Sequence, residues 1–196
     1  MVKKDYRNNL IETATRLFAE RGLKGVSIRE LSKAAEVSIS MISYHFGGKE
    51  GLYSLVLQEQ FACFEQIETI RELEAAPLEK IEAYIRWSIR RHREYPYLMR
   101  FYTSELTNPT PYFATIVDPA IKKVIRILMD TIGEGIRIRH FRQGLSPVDT
   151  VLAMVGMVNY YFLSTLATRE IVSHSPERDE ELIRHYMDLF GKGILT

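Results

Sequence analysis

The sequence predicts an all-α protein of about nine helices. Apolar residues recur at three- and four-residue spacing along most of the chain, as they do on the buried face of an amphipathic helix. Proline stands where several of these periodic segments begin, a position that tolerates its missing amide hydrogen. Strand-like alternation and the turn pairs of hairpins are missing. These observations argue against a fold built on a sheet.

Capping residues set the expected bounds of the helices. Ser27-Ile28-Arg29-Glu30 has the form of a capping box and begins a short second helix. Ser38 can cap a third helix, which Gly47-Gly48 can end. The expected helices are 5–21, 28–35, 38–45, 50–70, 78–94, 97–106, 119–142, 147–172 and 176–193.

The composition is that of an ordinary globular protein, with 46% hydrophobic and 26% charged residues. The N-terminal residues lack the apolar core of a signal peptide, and the longest nearly uncharged run, 146–167, is too polar for a bilayer span. We therefore expect a cytoplasmic protein without membrane contact. Cys63 is the only cysteine and the five histidines show no paired helical spacing, so we expect no disulfide, metal site or cofactor.

Charge is unevenly distributed along the chain. The net charge is +1, yet residues 1–49 carry +4 and the remainder carries −3. A basic N-terminal region followed by a mildly acidic remainder suggests that only the N-terminal region binds a polyanion. Lys3, Lys4 and Arg7 form an N-terminal basic arm, for which disorder and DNA contact are equally compatible interpretations.

Two short helices, 28–35 and 38–45, are joined by only two residues and follow the helix that opens the chain. This is the arrangement of a helix-turn-helix, whose second helix enters the major groove of DNA. Hydroxyl side chains at Ser38, Ser40 and Ser43 suit close approach to phosphates and base edges.

A glycine-rich phosphate-binding loop at Gly47-Gly48 is the competing interpretation. No strand is expected before these glycines, and they end a helix rather than open a P-loop. The helix-turn-helix interpretation is therefore favoured.

The segment GLKGVSIRELSKAAEVSISMISYHFGGKEGLYSLVL, residues 22–57, resembles the DNA-binding domain of the tetracycline-repressor (TetR) family of transcriptional regulators. The aromatic YHF that ends the motif and the Lys-Glu that begins the next helix carry the likeness. It is strong over residues 5–60, whereas the rest resembles the family only as a helical body of variable sequence. The resemblance implies a homodimeric repressor that binds a palindromic operator and is released by a small molecule.

The resemblance also implies which residues meet DNA. Ile28 and Arg29 would lie beside the DNA backbone, and Lys49 would contact a phosphate, aided by the dipole of the helix that it begins. The recognition-helix residues, counted with the cap, are Ser38, Ile39, Ser40, Met41, Ser43, Tyr44 and His45.

Two residues depart from the family pattern. Glu36 stands where the turn commonly has glycine, so the left-handed conformation there is expected to be strained or replaced by another turn. Ser43 stands where a tyrosine is often found, so the phosphate contact of that tyrosine is expected to pass to Tyr44.

Aromatic and methionine residues of the body predict a small-molecule pocket, because ligand pockets are mostly apolar with a few polar anchors. His92, Asn159 and Tyr160 are further candidate anchors, and plain core packing is the alternative for each residue. The candidate effector-binding residues are Tyr84, Trp87, Arg91, Tyr95, Phe101, Tyr102, Met154, Met157, Val158 and Tyr161.

The last two helices are the candidates for dimerisation. Leu182, Tyr186, Leu189 and Phe190 follow helical spacing and are expected to form half of a twofold-symmetric interface. A monomer with the same stripe folded inward is the alternative.

The expected organisation is a helix-turn-helix domain over residues 1–49 and an effector-binding and dimerisation domain over 50–196, connected by the helix 50–70. The expected function is a ligand-responsive repressor and not an enzyme, because glycine fingerprints, the HExxH motif and the nucleophile elbow are missing. The alternatives are an effector-independent DNA-binding regulator or architectural protein, and a helical small-molecule-binding protein or enzyme whose motif is vestigial. The effector itself cannot be identified from the sequence.

Overall fold

The computed structural model describes residues 2–195, with side chains from residue 6 onward, and this part of the chain is helical without any strand. The all-α prediction is confirmed. Nine of the α-helices within these residues contain seven or more residues, the number expected. The α-helices are α1 (Val2–Arg21), α2 (Ile28–Ala34), α3 (Ile39–Phe46), α4 (Gly48–Phe61), α5 (Glu68–Arg71), α6 (Pro77–Glu94), α7 (Leu98–Thr107), α8 (Asp118–Arg137), α9 (Pro147–Leu163), α10 (Thr165–Thr168) and α11 (Asp179–Ile194).

Short helical segments of other types complete the chain. Ala62–Ile67 and Pro176–Arg178 are 3₁₀ helices, and Phe113–Val117 is a π-helix. The predicted helix 50–70 is therefore divided, since α4 ends at Phe61 and a 3₁₀ turn follows.

Two long helices end earlier than their apolar periodicity predicts. The helix expected to reach residue 142 stops at Arg137, because the amides of His140 and Phe141 both turn back to the Gly135 carbonyl, each at 2.9 Å. The helix expected to reach residue 172 stops at Leu163, where the Ser164 hydroxyl donates to the Tyr161 carbonyl. Such local side-chain bonds compete with helix continuation.

The chain divides into two compact units, of which the first contains Met1–Ala62 and Tyr97–Pro119. Its core is formed by Phe18, Leu31, Ile42, Leu52 and Phe101, all buried. The compact units do not divide after residue 49, where the domain boundary was expected, because α4 lies wholly in the first unit. Helix α7, which was expected in the effector-binding domain, lies in the first unit as well.

The second unit contains Cys63–Pro96 and Ala120–Thr196. Helices α6, α8, α9 and α11 surround its core. Arg93 of α6 is held by the Asp179 carboxylate at 2.6 Å and by the His174 carbonyl at 2.6 Å, which fixes the start of α11 against α6. The buried core residues include Ile81, Ile85, Ile127, Leu128, Ile132, Phe141, Val151 and Ile183.

Within the described residues, no helix is both long enough and apolar enough to cross a bilayer. Over the same part of the chain, no three metal-ligating side chains come together.

Candidate nucleic-acid interface

The start of α2 is held by the predicted capping box. The Glu30 amide donates to the Ser27 hydroxyl at 3.2 Å, and the Ser27 amide donates to the Glu30 carboxylate at 2.8 Å. Arg21 of α1 bonds the same carboxylate at 2.9 Å. The Ser27 amide, and after it Arg21, lowers the pKa of Glu30 to about 2, so this carboxylate stays ionised near neutral pH. The capping box thereby also joins α2 to α1.

The turn between α2 and α3 keeps the left-handed conformation despite its glutamate. Glu36 has φ of +56°, a region that L-residues other than glycine seldom adopt. The Val37 amide donates to the Ser32 carbonyl at 3.0 Å, and the Ser32 hydroxyl donates back to the Val37 carbonyl at 2.5 Å. This reciprocal pair holds the turn closed around the strained residue, so the expected alternative turn does not occur.

Helix α3 is capped at both ends and fixed through one buried residue. The Met41 amide donates to the Ser38 hydroxyl at 3.2 Å, and Gly47 ends the helix with φ of +71°. Ile42 is fully buried in the core of the first unit. Because Ile42 sets the rotation of the helix, the residues around it point outward.

The outward-facing residues of α3 are those that the sequence predicted to meet DNA. Tyr44 is 85% exposed, the largest value among the exposed large apolar residues described. The Ser38 and Ser40 hydroxyls lie 2.9 Å apart. We call this surface the outer face of α3, and its exposed residues are Ile39, Ser40, Met41, Ser43, Tyr44 and His45. Their contact with DNA stays a prediction.

The residues predicted to meet the DNA backbone differ in their exposure and in how far their hydrogen-bonding groups are already used within the protein. Arg29 is exposed and Ile28 is half-buried. The Lys49 ammonium donates to the Leu23 carbonyl at 3.0 Å and lies 3.9 Å from Glu50, so part of its hydrogen-bonding capacity is used within the protein. A phosphate contact of Lys49 would use its remaining hydrogens.

The N-terminal basic arm is described only in part. The guanidinium of Arg7 lies 5.8 Å from the ring centroid of Phe46, at the end of α3. The side chains of Lys3 and Lys4 lie outside the described residues.

Comparison with known proteins agrees with this geometry. Residues 10–56 match the family model described as bacterial regulatory proteins, tetR family. The fold superposes on the ketosteroid transcriptional regulator KstR2 of Mycobacterium tuberculosis with a TM-score of 0.79, covering 97% of this chain and 95% of that one. At 22% identity, this likeness shows the fold alone. Residues 10–56 therefore carry the DNA-binding region of the TetR family.

Curated relatives match the chain over different shares of its length. The chain is 40% identical over 58 residues to the probable HTH-type transcriptional regulator YttP of Bacillus subtilis, covering 30% of this chain and 28% of that protein. It is 26% identical over 152 residues to the repressor KstR2 of Mycolicibacterium smegmatis, covering 76% and 73%. YttP and the repressors NicS and DhaR are each matched over less than half of their own length. The family and these relatives are transcriptional regulators, which are not enzymes, as the sequence predicted.

The first unit contains a buried carboxylate that the sequence did not lead us to predict. Glu105 of α7 is fully buried and accepts hydrogen bonds from the Tyr53 hydroxyl at 2.6 Å, the Thr110 amide at 3.1 Å and the Thr110 hydroxyl at 3.0 Å. Burial and the bond to Glu105 raise the pKa of Tyr53. A signal was present in the sequence, because Leu98, Phe101 and Glu105 share one face of α7 at helical spacing.

The predicted effector-binding residues fall into both units. Phe101 and Tyr102 belong to the first unit, where Phe101 is buried with its ring centroid 6.2 Å from that of Tyr53. Their assignment to one pocket with the others stays a prediction. In the second unit, Tyr84, Trp87, Arg91, Met154 and Val158 are buried, and Tyr95, Met157 and Tyr161 are half-buried.

Of the three further candidate anchors, His92 and Asn159 contact each other and Tyr160 lies apart from them. His92 and Asn159 bond each other at 3.1 Å, and His92 stacks on Phe162 at 4.4 Å. Burial lowers the pKa of His92 to about 4, so the ring is neutral near neutral pH. Tyr160 is exposed and does not point into the core.

The predicted dimer residues are corrected in part. Leu182 and Phe190 are only 6% and 8% exposed and pack into the core of the second unit. Tyr186 is half-buried, with its hydroxyl donating to the Met157 carbonyl at 3.2 Å. Leu189 remains exposed. The stripe folds inward because its apolar residues complete the core between α6 and α9, so only one of the four lies fully on the surface.

Proposed function

We propose that the protein is a transcriptional regulator that binds a palindromic operator as a homodimer and leaves it when a small molecule binds to the second unit. The outer face of α3 carries this proposal. Six neighbouring side chains stand exposed on a helix that is capped at both ends and fixed by Ile42. A helix-turn-helix inserts such a face into the major groove, where hydroxyls bond phosphates and bases and apolar groups meet thymine methyls.

DNA binding is tested with a gel-shift or anisotropy titration on the DNA upstream of the gene. Tyr44→Ala removes the most exposed large apolar side chain of the outer face of α3 without disturbing the core, so we expect operator affinity to fall by 10-fold or more. Leu106→Ala is the matched control, because Leu106 is an exposed apolar residue on α7. Equal operator affinity of Tyr44→Ala and the wild type would contradict the assignment.

Homodimerisation is supported by exposed apolar residues of the second unit that its own core leaves uncovered. Leu152 and Tyr160 are 52% and 67% exposed, and their spacing of eight residues places them on one face of α9. Leu189 on α11 is also exposed. Exposed large apolar side chains on neighbouring parts of a surface can mark an interaction site, and twofold pairing would cover them with an identical copy.

The dimer is tested by sedimentation of the wild type and of Leu152→Glu. We expect a dimer for the wild type and a shift to monomer for the variant, with operator affinity lost in parallel. Leu106→Glu is the control, since it introduces the same charge at an exposed leucine of the first unit. A wild-type monomer at micromolar concentration would overturn the dimer.

Release by an effector requires that the ligand bind one dimer geometry more tightly than another. Helix α7 is the proposed lever, because Glu105 bonds Tyr53 of α4, and α4 directly follows Gly47 at the end of α3. The coupling is measured as operator affinity with and without ligand. We expect a loss of roughly 30-fold or more, the upper part of the usual range of allosteric coupling.

A further inference from the structure

Two buried N–H groups on helix α6 have no hydrogen-bond partner among the residues that the structure describes. They are the indole Nε1 of Trp87 and the guanidinium Nε of Arg91. Both residues are more than nine-tenths buried. Because they are four residues apart, they share one face of α6, one helical turn from each other. We call these two groups the donor pair.

Neighbouring side chains hold both residues in place. The Trp87 ring packs edge-on against Phe64, at a centroid distance of 5.9 Å, and lies 6.0 Å from Tyr84. The other side of the Arg91 guanidinium is bonded by Glu94 at 2.5 Å and lies 5.8 Å from the Tyr95 ring centroid. Neither side chain is free to turn its N–H group toward solvent.

Buried polar groups in proteins are almost always hydrogen-bonded, so a buried donor without a partner requires an explanation. Core packing alone does not explain why two such donors lie on the same face of the helix. An apolar side chain of similar shape would fill either position without exposing a donor. The donor pair is therefore suited to an acceptor that the protein itself does not supply.

The charge around the donor pair selects the kind of acceptor. Burial raises the pKa of the nearby Cys63 thiol to about 11, so this group stays neutral beside Arg91. Glu94 pairs with Arg91 but its side chain is 46% exposed, so water screens part of its charge. Glu94 thus compensates the charge of the buried guanidinium only in part. A ligand with one negative charge can complete this compensation, whereas the second charge of a dianion would have no cation to pair with.

We propose that the donor pair binds the carboxylate of a small organic acid with an apolar body, and that this acid is the effector. The proposal rests on the proposed function, since it names the chemical class of the ligand. One carboxylate oxygen accepts from Trp87 Nε1 and the other from Arg91 Nε, a charge-assisted arrangement in which both donors are satisfied. Tyr84, Phe64 and Tyr95 supply aromatic walls for the apolar body. A neutral amide places its NH₂ group where an acceptor is needed and lacks the negative charge that strengthens the bond to the guanidinium.

The experiment uses three acids, phenylacetate, 4-phenylbutyrate and decanoate, each beside its primary amide. Binding to the full-length protein is measured by calorimetry and by the shift in melting temperature. We expect at least one acid to bind with a Kd at least 10-fold below that of its amide, and the same acid to release the operator. Equal binding of acid and amide, or no binding of any of the three acids at millimolar concentration, overturns the proposal.

Three variants locate the site. Trp87→Phe removes one donor and keeps an aromatic ring, and Arg91→Gln removes the charge, so we expect acid affinity to fall about 5-fold and at least 10-fold respectively. Arg90→Gln is the matched control on the exposed side of α6 and should bind within twofold of the wild type. Unchanged acid affinity in both Trp87→Phe and Arg91→Gln overturns the assignment.

A measurement without ligand separates loss of the site from loss of the fold. Because the smaller ring of Trp87→Phe leaves a cavity, we expect the ligand-free variant to melt somewhat below the wild type but still cooperatively. If Trp87→Phe lacks a cooperative transition, its fold is lost, and the site is then judged from Arg91→Gln, whose unchanged acid affinity would overturn the proposal. The proposed function fails in a different way, namely if the wild type does not bind DNA or if no ligand of any class releases it.

Discussion

The Tyr53 hydroxyl donates a 2.6 Å hydrogen bond to the Glu105 carboxylate, and both groups are buried in the first unit. The bond joins α4, which follows the recognition helix, to α7. Glu105 accepts two further bonds from Thr110, and each of the three donor groups is neutral. A buried carboxylate held only by such donors depends strongly on every one of them.

Tyr53→Phe should therefore be clearly destabilising. We expect the free energy of unfolding to fall by about 1.5–3 kcal/mol, the usual contribution of a hydrogen bond to a charged group. Chemical denaturation measures the change, and Tyr6→Phe at an exposed tyrosine is the control, with an expected change below about 0.5 kcal/mol. If Tyr53→Phe were as stable as the wild type, the bond would not hold α4 to α7.

Lys49 should act both within the protein and on DNA. Lys49→Ala removes the bond to the Leu23 carbonyl, which should lower the free energy of unfolding by about 1 kcal/mol. If the ammonium also contacts a phosphate, the salt dependence of operator binding should fall by about one unit of slope. Glu50→Gln, which removes the neighbouring carboxylate but no cation, is the control. An unchanged slope for Lys49→Ala would leave this lysine with a structural role alone.

His92 should make the second unit less stable in acid. Burial, opposed by the Asn159 bond and aided by Arg93, lowers the pKa of His92 from its ordinary value of 6.5 to about 4. Above pH 6.5 the ring is neutral in both the folded and the unfolded chain. Between pH 6.5 and pH 4 only the unfolded chain binds the proton, so stability falls as the pH falls, by about 3 kcal/mol at most.

The pH dependence of unfolding is compared between the wild type and His92→Gln. The difference between the two curves should change across pH 6.5 to 4 and be flat above that range. Parallel curves across the whole range would show that His92 titrates normally in the folded protein.

Two glycines of α8 should respond in opposite ways to alanine. A Cβ atom at Gly135 would lie 2.2 Å from the Phe141 ring, whereas one at Gly133 meets nothing within 4 Å. Gly135→Ala should therefore cost about 2–3 kcal/mol through overpacking. Gly133→Ala should stabilise by up to about 1 kcal/mol through helix propensity. Thermal unfolding of both variants measures this, and equal effects would mean that Phe141 does not pack on α8 as described.

The sequence predicted the helices well where local chemistry decides them. Ser27, Ser38 and Gly47 set the limits of α2 and α3 through caps that involve only neighbouring residues. Helix α8 ended before its predicted limit because Phe141 folds back onto Gly135, a contact that no local propensity encodes. Glu36 kept the left-handed turn because the bonds between Ser32 and Val37 hold it there.

The direction in which residues face was harder to predict than their helices. Leu182 and Phe190 have the same spacing as an interface stripe, yet they are buried because α11 completes a core whose other helices are distant in sequence. Phe101 falls in a different unit from Trp87 for the same reason. Apolar periodicity identifies a buried face, but it does not identify the partner that buries it.

Cys63, the only cysteine of the chain, is buried, and its thiol has a pKa near 11. Because the thiolate is the reactive species, roughly one folded molecule in ten thousand carries it at neutral pH. A thiol-reactive dye should thus label the wild-type protein almost only when the region around Cys63 opens. The labelling rate therefore reports how often the second unit opens locally around Cys63. A ligand that binds beside Arg91 would slow this labelling, so no engineered reporter is needed.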